Sequence, residues 1–227
     1  MAFGFLGLGA IRAIRSIGLS GGRRKHDQSI KALCAQRGMW RVDDGRAPFL
    51  PQMLPLVRPV CRNTFATPDL SLWFSEVGEN KGAGVFGVLM FSISGLNLPY
   101  IAVSRKGDID VPLGARGQTV QLESIDFTDR FQIHADDPRA AVMLIDQGMM
   151  QWLLDCDRLS FQVTGPLVGA IVKQRHDGAA QPTDLELLLQ FHDGFAAHVP
   201  QLVRGEFLAP EGNAEAAAQA MHTGWTG

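Results

Sequence analysis

Tyrosine occurs once and cysteine three times in 227 residues, and only 19% of the chain is charged. Each shortage closes off a class of protein. The cysteines, Cys34, Cys61 and Cys156, are odd in number and widely spaced, with no CxxC pair. They predict neither a disulfide framework nor a thiolate zinc site. They read as buried, reduced thiols. Cys156 lies between Asp155 and Asp157, whose charges hold a thiol protonated rather than activate it. No HxxxH pair and no SxxK occur. The glycine runs GFLGLGA and KGAGVFG are not GxxxxGK[ST], and the first follows no strand, so neither reads as a phosphate loop. A net charge of −2 asks for no nucleic acid.

Acid is also missing from one end of the chain. Residues 1–25 carry Arg12, Arg15, Arg23, Arg24 and Lys25 and no Asp or Glu, a charge of +5. With −2 in total, the rest of the chain nets −7. A basic, apolar leader on an acidic body predicts a segment with its own partner. The leader does not read as a secretory signal, because its positive charges follow the apolar run and no small-x-small site closes it. It is too interrupted for a span of about 20 apolar residues, since Arg12 and Arg15 would each cost roughly 2.5–3.5 kcal/mol near a bilayer centre. Ala2 excludes N-myristoylation. On a helical wheel Phe3, Leu6, Ala10, Ala13, Ile14 and Ile17 share one arc, and Arg12, Arg15 and Ser16 share the opposite one. Phe5, Leu8 and Leu19 interrupt the polar face. The pattern predicts an amphipathic helix in a membrane interface, with Arg23, Arg24 and Lys25 adding attraction to an anionic leaflet. Docking on a protein partner, or on its own domain, remains an alternative.

The body reads as α+β. Asp27 is expected to cap a helix through Ile30, Leu33 and Cys34 that stops at Gly38. Four prolines between Pro48 and Pro59 mark a connector. CRNTFA, LSLWFSEV, GVFGVLMFSIS, LPYIAVS and DIDVPL are short, apolar and bounded by turn residues, which predicts four to six antiparallel strands. FQIHA alternates as a strand, and RLSFQVTG with LVGAIVK reads as a hairpin turning at Thr164-Gly165-Pro166. Asp136 or Asp137 is expected to cap a helix opened by Pro138, with Gly148 punctuating it from the next. A last helix from Leu185 to about Val203 places Leu185, Leu188, His192, Phe195, Val199 and Leu202 on one stripe, with Pro200 ending or kinking it. The expected architecture is a largely antiparallel sheet with helices packed on one side. The domains are a leader at 1–25, one α+β domain at 26–208 and a loosely held tail at 209–227.

The stretch from Glu123 to Asp157 concentrates Asp126, Asp129, His134, Asp136 and Asp137. These fall on different elements and lack the ligand spacing of a calcium loop, so they are expected to serve as caps and surface charges, with no metal and no cofactor. His134 and His192 read as half-buried structural residues. Met149, Trp152 and Phe161 read first as core. They also suit an apolar pocket for a lipid- or quinone-like ligand.

Glu123-Ser124, Phe127 and Arg130-Phe131, then Asp137-Pro138-Arg139-Ala140, then Met149-Met150, resemble the signature of an uncharacterised actinobacterial family. Thr128 stands where that family has Asn, and Gln147-Gly148 where it has Pro-Arg, so the chain resembles a divergent member. The resemblance implies the fold and a membrane-facing N-terminus, and it assigns no activity. Together these readings predict a non-enzymatic adaptor or accessory subunit in the cytoplasm, peripheral to the inner face of the cell membrane. It would work in a larger complex or oligomer. The alternative is a carrier or sensor for an apolar ligand.

Overall fold

Short segments rich in apolar residues, from Trp40 to Lys173, build a nine-stranded antiparallel sheet among the described residues. A computed structural model describes residues 24–42, 59–79, 85–106, 116–156, 158–173 and 182–209. The strands are β1 (Trp40–Arg41), β2 (Pro59–Ala66), β3 (Leu72–Glu79), β4 (Val85–Ser92), β5 (Leu98–Arg105), β6 (Gln118–Val120), β7 (Phe131–Ala135), β8 (Leu159–Gly165) and β9 (Leu167–Lys173). The described helices are α1 (residues 24–36), α2 (Ile125–Arg130), α3 (Pro138–Leu144), α4 (Gln147–Asp155), α5 (Pro182–His198) and α6 (Gln201–Glu206).

The spatial order is β1-β2-β3-β4-β9-β8-β5-β7-β6. Strands β1 to β4 form a meander, and β5, β7 and β6 form a second block. The β8–β9 hairpin joins them, β9 pairing with β4 and β8 with β5. Both edge strands are short, two and three residues, which limits edge-to-edge pairing.

Helices cover one face. There Phe74, Leu89, Phe91, Ile101, Phe161 and Val172 pack against Ile30 and Cys34 of α1, Leu144 of α3, Met149 of α4 and Phe195 of α5 in one buried cluster. The opposite face carries its own buried cluster, including Trp73, Val77, Phe86, Val88, Met90 and Ile171. Strand β4 feeds both, so VFGVLMFS reads as an apolar run rather than an alternation. The α+β class holds, and most strands fall in the segments where the sequence predicts them.

Local expectations divide. Helix α1 closes at Gly38, whose φ of +67° suits a residue without Cβ, and Met39 N–H returns to the Cys34 carbonyl at 3.0 Å. Asp27 is not its cap, because the helix already includes residue 24, so Arg24 and Lys25 lie in α1. Asp137 caps α3, its carboxylate accepting from Arg139 N–H. Gly148 does not separate helices. It lies in the first turn of α4, and Asp146 is the cap, accepting from Met149 N–H at 2.8 Å. The last helix breaks at Pro200, which is extended (φ −59°, ψ 147°). That break resets the helical phase, so Leu202 is 67% exposed and Val203 is buried in its place. The VGENKGAG tip, the proline-rich connector and the DIDVPL strand fall mostly or wholly outside the described residues, and so does the tail beyond residue 209.

Candidate functional site

The densest buried polar constellation joins α1 to the sheet. His26 and Asp27 are neighbours on α1, Asn63 sits in β2 and Glu76 in β3. His26 Nε2 lies 2.5 Å from Glu76 Oε1, and these side chains are only 10% and 8% exposed. The Asn63 amide donates to Asp27 Oδ1 at 2.9 Å and to Glu76 Oε2 at 2.6 Å, bridging the two carboxylates. The backbone bends to allow this. The β2–β3 register shifts between Arg62 and Phe65, and Asn63 takes a φ of +46°, rare for a residue with a side chain. One face of α1 thus carries Ile30 and Cys34 into the core, and its first described turn carries His26 and Asp27 into the cluster. Burial first, and then the charge of Glu76, push the Cys34 thiol up to about 12. A thiol held protonated there is no nucleophile.

This constellation is absent from the sequence reading. Its members are up to 50 residues apart, and none stands in a recognisable motif. The one available signal was Glu76, an acid inside an otherwise apolar strand.

The acids between Glu123 and Asp137 serve as caps and surface charges. Asp137 caps α3, Asp126 lies in the first turn of α2, and Asp136 pairs with Arg116 at 2.5 Å. Glu123 is exposed and His134 is half-buried on β7. His192 meets the edge of the Phe91 ring at 4.9 Å. Beside α2, a small pocket of 170 Å³ is lined by Lys106, Thr119, Phe127, Thr128, Phe131 and Gln132. It is below the usual size of a ligand site, about 300 Å³.

Met149 and Phe161 are fully buried. Trp152 stacks on Phe191 at 5.1 Å and on His198 at 4.4 Å, and its ring also meets Phe195 at 6.3 Å. These side chains fill the space around one another, which is how a core is built. Of the residues expected to contact a membrane or partner, Phe3, Leu6, Arg12, Ile14, Arg15, Ile17 and Arg23 lie outside the described residues. So does the string Gly18-Leu19-Ser20-Gly21-Gly22, which spells GxSxG. Among the described residues no helix is long and apolar enough to cross a membrane.

No protein-family model matches the chain, and no curated protein sequence matches it. Among solved structures, the fold is similar to that of the mycobacterial trehalose monomycolate transport factor A. The two chains are 11% identical, with a TM-score of 0.54, over 83% of this chain and 99% of that one. At that identity the likeness shows the fold.

Proposed function

We propose that this protein is a membrane-peripheral accessory factor in lipid transport, held at the inner face of the cell membrane by its N-terminal segment. The observation that carries the reading is the shared fold, which extends over 99% of a protein named as a glycolipid transport factor. The basic, apolar leader supports it, since +5 within 25 residues suits an anionic leaflet. Helix α1 follows that segment in the chain and is held to the sheet by the His26–Glu76 contact, so the attachment would be relayed to the folded body. The resemblance to a family with membrane-facing N-termini points the same way. The test is flotation of the full chain, and of a chain lacking residues 1–22, with anionic and neutral liposomes. The expected result is flotation of the full chain alone, on anionic liposomes, weakened by high salt. Failure of the full chain to float removes the membrane reading and leaves a protein partner for the segment.

A second reading, a carrier or sensor that itself holds an apolar ligand, is favoured by the sheet face opposite the described helices. Trp73 Nε1 and Gln162 Oε1 are buried there without a hydrogen-bond partner, beside an apolar cluster. A lipid headgroup would supply both partners. Mass spectrometry of an organic extract of the purified chain tests this. A chain that carries no lipid and takes none from liposomes excludes the carrier.

A further inference from the structure

We propose that His26, Asp27 and Glu76 form a binding site for a divalent transition ion, with zinc the best match. The inference is independent of the lipid reading. A ring nitrogen of His26 and one carboxylate oxygen from each acid lie within 4.8 Å of one another, on two segments, α1 and β3, that the fold brings together. In a tetrahedral zinc site, ligand atoms at about 2.0–2.2 Å from the ion lie roughly 3.3 Å apart. A movement of about 1 Å in these side chains reaches that geometry. The donor set is one imidazole and two carboxylates. Imidazole favours zinc over magnesium or calcium, and the carboxylates supply hard oxygen donors and negative charge.

Two features separate the cluster from an ordinary surface group of acids. It is largely shielded from solvent, with His26 and Glu76 at 10% and 8% side-chain exposure and Asp27 half-buried. It also has an outer support already in place. Asn63 donates one amide to both carboxylates and is held in a rare backbone conformation to do so. Metal ligands are oriented by such outer hydrogen bonds. The ion would clamp α1, and with it the N-terminal segment, onto β2 and β3.

The exchange balances simply. His26 Nε2 and Glu76 Oε1 lie 2.5 Å apart, the spacing of a hydrogen bond in which the imidazole N–H donates to the carboxylate. The ion takes that proton's place, the imidazole nitrogen and the carboxylate oxygen each donate a lone pair to it, and the proton leaves to solvent from an imidazolium or passes to Nδ1 of a neutral ring.

The test is calorimetric titration of the full chain with zinc chloride, in two buffers of different ionisation enthalpy. The expected result is one zinc per chain with release of at most about one proton. X-ray absorption of the loaded wild-type chain should show nitrogen and oxygen ligands and no sulfur. Asn63→Ala should weaken binding about 10–100-fold, as loss of an outer partner does. Glu76→Gln should abolish binding at this site, with circular dichroism confirming the fold. Absence of zinc binding by the wild-type chain overturns the proposal. So does binding that Asn63→Ala and Glu76→Gln leave unchanged, or a sulfur ligand, which would place the ion elsewhere. The wild-type titration and spectrum decide the matter even where a variant fails to fold.

Discussion

The indole of Trp152 lies flat on the imidazole of His198, with ring centroids 4.4 Å apart and planes 7° from parallel. His198 Nδ1 donates to the Gly194 carbonyl at 2.9 Å, which fixes the imidazole one turn beyond the glycine. Gly194 makes the contact between α4 and α5 close. A Cβ there would sit 2.8 Å from Trp152 Cζ2, and the indole is rigid and held by Phe191 and His198. Gly194→Ala is therefore expected to destabilise the protein by about 1–2 kcal/mol, the overpacking cost outweighing a helix-propensity gain of about 1 kcal/mol. Urea unfolding measures it. In a Trp152→Leu background the same substitution should cost less, because the clashing ring is gone.

The phase reset at Pro200 yields a contrast between two residues read from sequence as one stripe. Phe195 is fully buried against Phe91, Phe161 and Phe191, whereas Leu202 is exposed. Phe195→Ala should cost about 3–5 kcal/mol. Leu202→Ser should stay within about 0.5 kcal/mol of wild type. Equal losses in unfolding experiments would place Leu202 in the core after all.

Arg37 grips Asp193 through two hydrogen bonds of 2.7 Å, linking α1 to α5. Those bonds, helped by His192, hold the Asp193 carboxyl below the usual carboxylate range. A carboxyl with a lower pKa folded than unfolded contributes stability that is complete above its unfolded pKa of about 3.9 and is lost as pH falls through the folded value. The pair is 37% and 48% exposed, so solvent screens it and its worth is roughly 0.2–1 kcal/mol. Arg37→Gln should lose that amount at neutral pH, and the difference from wild type should shrink in acid. A difference independent of pH would show that packing, not the ion pair, was removed.

Burial separates the thiols. Cys34 and Cys156 are pushed up to about 12 and about 11, each first by burial and then by a neighbouring carboxylate, Glu76 and Asp155. Cys61 is partly exposed. A disulfide reagent near neutral pH should leave Cys34 and Cys156 unmodified in the folded protein, and all three thiols should react in denaturant. Fast labelling of Cys34 in the native state would mean that α1 opens from the sheet.

Much of the secondary structure was legible because it is written locally. Two-residue alternation in FQIHA and the Gly165 turn between LSFQVTG and LVGAIVK specify a strand and a hairpin whatever surrounds them. Asp137-Pro138 marks a helix start by its own chemistry. Expectations failed where a local signal had two meanings. Gly148 was read as a stop, yet a glycine in a first turn is tolerated once Asp146 supplies the cap. Leu202 fitted the helical stripe until Pro200 changed its phase.

By itself the sequence determined that the body is α+β, that its thiols are not a framework, and that a basic, apolar segment precedes an acidic domain. Composition and short-range periodicity suffice for these. Only the tertiary structure decided that the β8–β9 hairpin enters the middle of the sheet between β4 and β5. Alternation tells which side of a strand is buried, but it does not tell which edge the strand joins. Tertiary structure alone also brought His26 and Asp27 to Asn63 and Glu76, across gaps of 36 and 50 residues. That meeting depends on how α1 crosses the sheet and on a bulge in β2, and both are set by packing between distant segments.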